Sequence, residues 1–234
     1  MIKIFDAFLT AFFPRRCAYC GKVIKPEKLC CDDCADNLPR IEGDICRKCG
    51  REKKDCSCKK AEKYYDAIAA PFYFTGNVRK GIHAYKFRHW RNSAEVFGYE
   101  MSKTVIDRFA DIDFDYVTAV PLTDKSRRER GYNQCELLAE ELSKYLVIEH
   151  RKGILSKIYE TRKQHTVSSV FRKGNLSGVF EVNNPAEVEN KTILLVDDIS
   201  TTGETFNECS KMLWLYGAKS VYCISTALTP KKRK

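Results

Sequence analysis

The chain has 234 residues, 44% of them hydrophobic and 12% aromatic, which is enough to bury a core and too apolar for a disordered chain. No run approaches the ~20 apolar residues of a spanning helix, so integral membrane insertion is not expected. The 41 Lys and Arg residues against 31 Asp and Glu give a formal charge of +10, which points to an anionic partner such as nucleic acid, phosphate or anionic lipid.

Residues 1–13 place Ile2, Phe5, Leu9, Phe12 and Phe13 at three- and four-residue steps, which predicts a short amphipathic helix stopped by Pro14. It either docks on its own domain or meets a partner or membrane surface. Asp6 interrupts the run and no A-x-A cleavage pattern follows, so the segment does not read as a signal peptide. Nine of the 12 cysteines fall within residues 17–58. That is unlike the spread of a secreted disulfide scaffold, so the chain reads as cytoplasmic, with a peripheral place at the inner membrane as the alternative.

Residues 1–60 form one predicted unit and residues 61–234 another. Cys17-x₂-Cys20 with Cys31-x₂-Cys34 makes one set of four thiols, and Cys46-x₂-Cys49 with Cys56-x-Cys58 makes a second. Each pair forms a knuckle that aims two sulfurs at one ion, and two knuckles complete the tetrahedron Zn²⁺ accepts. Cys30 could replace Cys31 in the first set. All positions are filled by sulfur, so both zinc sites read as structural. Eight thiolates on two Zn²⁺ lower the net charge by four. Gly21 and Gly50 follow the second cysteine of a knuckle, where the turn favours positive φ. Arg47, Lys48, Arg51, Lys53, Lys54, Lys59 and Lys60 supply basic loops suited to nucleic acid or simply to solvent.

Beyond residue 61, apolar runs at Tyr116–Val120, Thr192–Val196 and Ser220–Thr226 predict strands. Between them, Ser93–Phe109, Asn133–Leu146 and Thr205–Tyr216 carry helical apolar periodicity. Strands alternating with amphipathic helices predict a mostly parallel, doubly wound α/β sheet with flanking helices. Basic and aromatic residues interleave over 79–91, the pattern either of a single-strand-binding surface or of a half-buried helix with a basic outer face.

Ile193–Thr205 reads ILLVDDISTTGET. A strand ending in two acids, a small polar turn and a helix start combine backbone N–H groups and hydroxyls into a monophosphate site. Adjacent carboxylates at a strand's carboxyl end suit a ribose diol or a Mg²⁺–diol unit. The string resembles the 5-phosphoribosyl 1-pyrophosphate (PRPP) signature of type I phosphoribosyltransferases. With PRRCAYCG at 14–21, YKF at 85–87, VPL at 120–122, RGYNQ at 130–134, TRKQH at 161–165, Arg172 and Asn175, nearly the whole chain resembles the ComF/GntX-type family associated with DNA uptake in natural competence.

The resemblance implies a type I phosphoribosyltransferase-like sheet with a flexible hood, preceded by a small double zinc ribbon. It gives Asp197 and Asp198 the ribose hydroxyls and gives Thr201, Thr202, Gly203, Glu204 and Thr205 the 5′-phosphate. Leu122, Thr123 and Lys125 would lie near pyrophosphate, and a hood over about 159–177 would bring Arg162, Gln164, His165 and Arg172 over the site. Lys125 and Arg162, with the acid pair, are the expected catalytic residues. Mg²⁺ would accompany PRPP. The implied activity is pentosyl transfer from PRPP to an acceptor that the resemblance does not name, in DNA uptake or in nucleotide metabolism; the alternative is a silent PRPP sensor or adaptor whose partners are single-stranded DNA and a competence helicase.

Overall fold

A computed structural model describes residues 14–56, 58, 63–87, 90, 92–122, 127–128, 131–157 and 179–231. The helix expected at 1–13 and the hood expected at 159–177 lie outside the described residues.

Five strands form one parallel sheet: β1 (Ala67–Ala69), β2 (Phe72–Tyr73), β3 (Tyr116–Ala119), β6 (Thr192–Ser200) and β7 (Ser220–Leu228). Across it the order is β1-β7-β6-β3, and β2 also pairs with β7, so the edge strand is broken at Ala70-Pro71. Ile193–Val196 of β6 are wholly buried, as a central parallel strand covered on both faces requires. A separate antiparallel pair, β4 (Leu155–Lys157) and β5 (Phe180–Val182), brackets residues 158–178.

Beyond the short α1 (Asp32–Ala35) of the cysteine-rich segment, the helices divide between the two faces. One core cluster joins Leu194 and Val196 of β6 to α3 (Ser93–Arg108) and α4 (Gln134–Leu146), and the other joins Ile193 and Leu195 to α5 (Glu204–Leu215). Tertiary packing adjusts the expected apolar faces. Ile106 and Leu215 fall on the solvent side at 60% and 41% exposure, because the core accepts only the stripe facing the sheet. β6 also runs four residues further than its apolar pattern, since β7 continues alongside and Ile199 and Ser200 pair with Ala227 and Leu228.

From β3 the chain passes through α4 to Glu149–Arg151, which bonds back to Val117 in parallel on the far side of β3. From β6 it passes through α5 to β7 in the opposite direction. The adjacent β3 and β6 therefore mark the topological switch, where the carboxyl ends of the strands leave a crevice.

The cysteine-rich segment is built into this core. Tyr19, at the tip of the first knuckle, is buried edge-on between Phe72 and Phe97, with ring centroids 5.8 and 5.7 Å away. Residues 39–41 lie antiparallel to β2 and cover the sheet edge through Tyr73 N–H to Pro39 and Ile41 N–H to Pro71. Arg40 pairs with the largely buried Glu100 of α3 at 2.9 Å. In α2 (Gly76–Phe87), a methyl group on Gly81 would stand 2.4 Å from the Ala18 carbonyl oxygen.

That contact gives a signed expectation. Alanine in place of a mid-helix glycine ordinarily adds ~0.5–1 kcal/mol of stability. Gly81→Ala should instead lower stability by about 1–3 kcal/mol, because knuckle and helix backbones would have to separate. Chemical denaturation of the zinc-loaded protein would check this.

Candidate active site and its zinc support

The four thiols of Cys17, Cys20, Cys31 and Cys34 lie within 4.8 Å of one another, as do those of Cys46, Cys49, Cys56 and Cys58. A ZnS₄ tetrahedron with ~2.3 Å bonds needs sulfurs roughly 3.8 Å apart. The structure has 3.6 Å for Cys20–Cys31 and 3.9 Å for Cys46–Cys58, so both sets fit zinc. Cys31, not Cys30, completes the first set. Gly21 and Gly50 hold φ of +81° and +71°, as the knuckle turns demanded.

Asp197 and Asp198 stand at the carboxyl end of β6, beside the β3–β6 crevice. They are buried enough to need partners, and each finds one on a different helix. Lys86 of α2 places its Nζ 2.8 Å from Asp198 Oδ1. Cys135, in the first turn of α4, donates its thiol to Asp197 Oδ1 at 3.3 Å, and the Asp198 N–H donates to the same oxygen at 2.8 Å. Burial pushes the Asp197 carboxyl up to about 7, and the charge of Asp198 adds to the rise. Burial also pushes the Cys135 thiol well up, which keeps it a donor.

The supporting motifs explain how these partners arrive. Asn133 caps α4 by accepting from the Cys135 N–H at 3.0 Å, while its own amide donates to Val120 O at the end of β3. Tyr132 Oη donates to Tyr85 O at 2.6 Å, and Tyr85 Oη donates to Gln134 O at 2.8 Å. The YKF and RGYNQ strings therefore lock α2 to the start of α4, and so aim Lys86 and Cys135 at the acid pair. Sequence reasoning singled out both strings but missed the roles of Lys86, Asn133 and Cys135, which depend on helices remote in the chain. Lys86 also leaves the basic stretch 79–91, where α2 turns out half-buried through Val78, Ile82 and Tyr85.

Thr201–Gly203 turn the chain into α5, whose N-cap Gly203 has φ 79° and no side-chain cap. The first N–H groups of a helix lack intrahelical partners and favour an anion. The exposed Thr201, Thr202, Glu204 and Thr205 surround that terminus. The second zinc knuckle braces this loop. Arg51 donates to Thr201 O at 2.6 Å and twice to Thr229 O, at 2.7 and 3.0 Å. Tyr65, which a Cβ on Gly203 would meet at 2.9 Å, donates to Lys48 O. Arg51 is thus occupied by backbone oxygens, and Lys53 pairs with Asp44 and Lys54 with Glu52, so the basic loop holds fewer free cations than its sequence implied.

Leu122 is half-buried just past β3 and lines, with Pro121, Asn133, Lys152 and Lys157, an open cavity of about 680 Å³ between α4 and the β4–β5 pair. Thr123, Lys125, Arg162, Gln164, His165 and Arg172 lie outside the described residues. Among the described residues no helix is long and apolar enough to cross a membrane.

The chain joins a double zinc ribbon to a phosphoribosyltransferase domain whose parallel sheet carries the acid pair beside its switch point. The double zinc ribbon domain family matches residues 8–66 and the phosphoribosyl transferase domain family residues 133–234. The chain is a homologue of proteins carrying competence and DNA-utilization names. It is 27% identical to Competence protein F of Haemophilus influenzae, over 90% of this chain and 95% of that one. It is 26% identical to DNA utilization protein YhgH of Escherichia coli K12 (91% and 90%) and to Competence protein ComFC of Bacillus subtilis (82% and 80%). A solved glutamine PRPP amidotransferase from B. subtilis is similar over 58% of this chain and 26% of its own at 20% identity and a TM-score of 0.41, too distant to bear on the site.

Two outcomes follow from this geometry. Between about pH 4 and 7 the folded chain keeps a proton on Asp197 that the unfolded chain, with its ordinary carboxyl, has released. Stability should therefore fall as pH rises through that window, and Asp197→Asn should flatten the fall by a few degrees of melting temperature, read without divalent ions. Arg51→Ala should lower stability by about 1–3 kcal/mol while two zinc ions per chain persist by elemental analysis, because it removes braces and no ligand.

Proposed function

We propose that the chain binds PRPP with Mg²⁺ at the β3–β6 crevice and transfers its phosphoribosyl group, within the handling or uptake of DNA. The observation that carries this reading is the acid pair of β6 standing one short turn before the N-terminus of α5, whose N-cap Gly203 offers no capping side chain, at the switch point. In it, Asp197 and Asp198 accept the two ribose hydroxyls, with Lys86 balancing the charge of Asp198. The Thr201–Thr205 loop takes the 5′-phosphate on backbone N–H groups and hydroxyls. Leu122, Thr123 and Lys125 contact pyrophosphate, and Arg162 closes over it from the hood.

Mg²⁺ takes oxygen ligands and is held through one or two carboxylates plus substrate oxygens. Asp197 and Asp198 meet that requirement; Cys135, though within 4.8 Å of their oxygens, is too soft a donor to join them. Bound there, the ion would neutralise negative charge on the leaving pyrophosphate. Exclusion of water by the closed hood would protect the electron-poor ribose carbon from hydrolysis. The DNA-handling role draws on the names of the relatives.

Calorimetric titration of PRPP and Mg²⁺ into wild type and an Asp197→Asn/Asp198→Asn variant tests the site. Micromolar binding by wild type with at least a hundredfold loss in the variant is expected, since two charge-assisted contacts disappear. Equal binding by both proteins, or none by wild type, would sink the reading. Pyrophosphate release on adding candidate acceptors then separates a transferase from a PRPP sensor.

A further inference from the structure

On the outer face of α5, Trp214 is 59% exposed and stands beside a second aromatic ring. Its ring centroid lies 5.9 Å from that of Tyr64, tilted by 52°, and Lys211 Nζ sits 5.4 Å from the Tyr64 ring. The two rings border an open cavity of about 610 Å³, to which Lys48, Lys63 and Lys219 also contribute. Lys48 and Lys219 are exposed; Lys63 pairs with Glu204 at 3.4 Å. Asp66 is the acid lining the cavity, and its carboxylate accepts the Val221 N–H at 2.9 Å. Cations outnumber acids here, and both acids already hold partners.

We infer that this groove binds single-stranded nucleic acid, with a base stacked on Trp214 and phosphates held by Lys48, Lys211 and Lys219. A free anion would use the lysines and make no use of the aromatic face beside them. An apolar protein partner would use the indole and bury lysines without counter-charges. A nucleotide strand satisfies both, because every base offers a π-face and every linkage a negative charge. The strand must be single, since a paired base is stacked on both faces within its helix and cannot offer one to Trp214. The groove also touches the phosphate loop: Lys63 reaches Glu204, and the Tyr64 N–H donates to Asn207 of α5 at 3.0 Å. The inference deepens the DNA-handling part of the proposed function and needs no PRPP at the acid pair.

Fluorescence anisotropy of the zinc-loaded full chain with a labelled oligothymidylate of about 20 residues is the test. Trp214→Ala should raise Kd roughly 5- to 100-fold, and Trp214→Phe should hold it within about threefold, because stacking is retained. Lys48→Ala/Lys219→Ala should reduce the salt slope of log K by about 1.4 between about 50 and 200 mM salt. These lysines are solvent-facing, so that double variant keeps the test decisive should Trp214→Ala fail to fold. Unchanged affinity in both Trp214→Ala and the lysine pair would overturn the inference. So would an absence of oligothymidylate binding by wild type, or loss confined to Arg79→Ala/Lys80→Ala on α2. The Asp197→Asn/Asp198→Asn variant should still bind the oligonucleotide, so failure of the PRPP reading and failure of this one are distinguishable.

Discussion

Two carboxylates adjacent in sequence stand at the end of a strand that is buried along its length, and their desolvation has to be offset on the spot. Removing an ionised carboxylate from water costs several kcal/mol even after relaxation, so an unpartnered Asp-Asp step here would unfold the crevice or hold both protons. The chain meets this with two helices. Lys86 approaches Asp198 from α2, and Cys135 approaches Asp197 from the first turn of α4. Much of the surrounding architecture serves to keep those helices in place. The Tyr85–Tyr132 exchange locks them together, Asn133 ties α4 to β3, and Tyr19 of the zinc ribbon plugs the space behind α2 between Phe72 and Phe97.

The double ribbon is accordingly more than an appendage on a basic surface. Its first half supplies core residues and covers the sheet edge at β2, and its second half braces the Thr201–Gly203 turn through Arg51. Small cysteine-rich segments cannot bury enough apolar surface to hold a unique shape, and zinc provides the missing constraint. Once rigid, a knuckle can place one guanidinium against two backbone oxygens with little further loss of freedom. A flexible loop in the same place would leave Thr201 and Thr229 to solvent. The second cysteine site and the candidate site are thereby linked through Arg51 and through Tyr65, which stands against Gly203 and donates to Lys48 O.

Much of this was legible in the residues. Cysteine spacing defined both zinc sites because four-coordinate geometry tolerates few knuckle lengths. The apolar runs of β3, β6 and β7 and the periodicity of α3, α4 and α5 were clear because a parallel sheet buried on both faces imposes strong patterns. Other parts were silent. β1 and β2 are too short for periodicity to show, and β6 extends past its apolar stretch only because β7 pairs with it. The choice of Cys31 over Cys30 needed the positions of three other sulfurs.

The sequence by itself determined the chemistry available: eight thiols at zinc spacing, an acid pair before a Thr-Thr-Gly turn, and an excess of cations. Those are local properties, set by residue type and by separations of a few positions. The tertiary structure alone decided which groups meet. Lys86 reaches Asp198, Arg51 reaches Thr201, and Tyr64 meets Trp214 across separations of more than a hundred residues. Such pairings depend on the handedness and order of a folded sheet, and no short-range pattern encodes them.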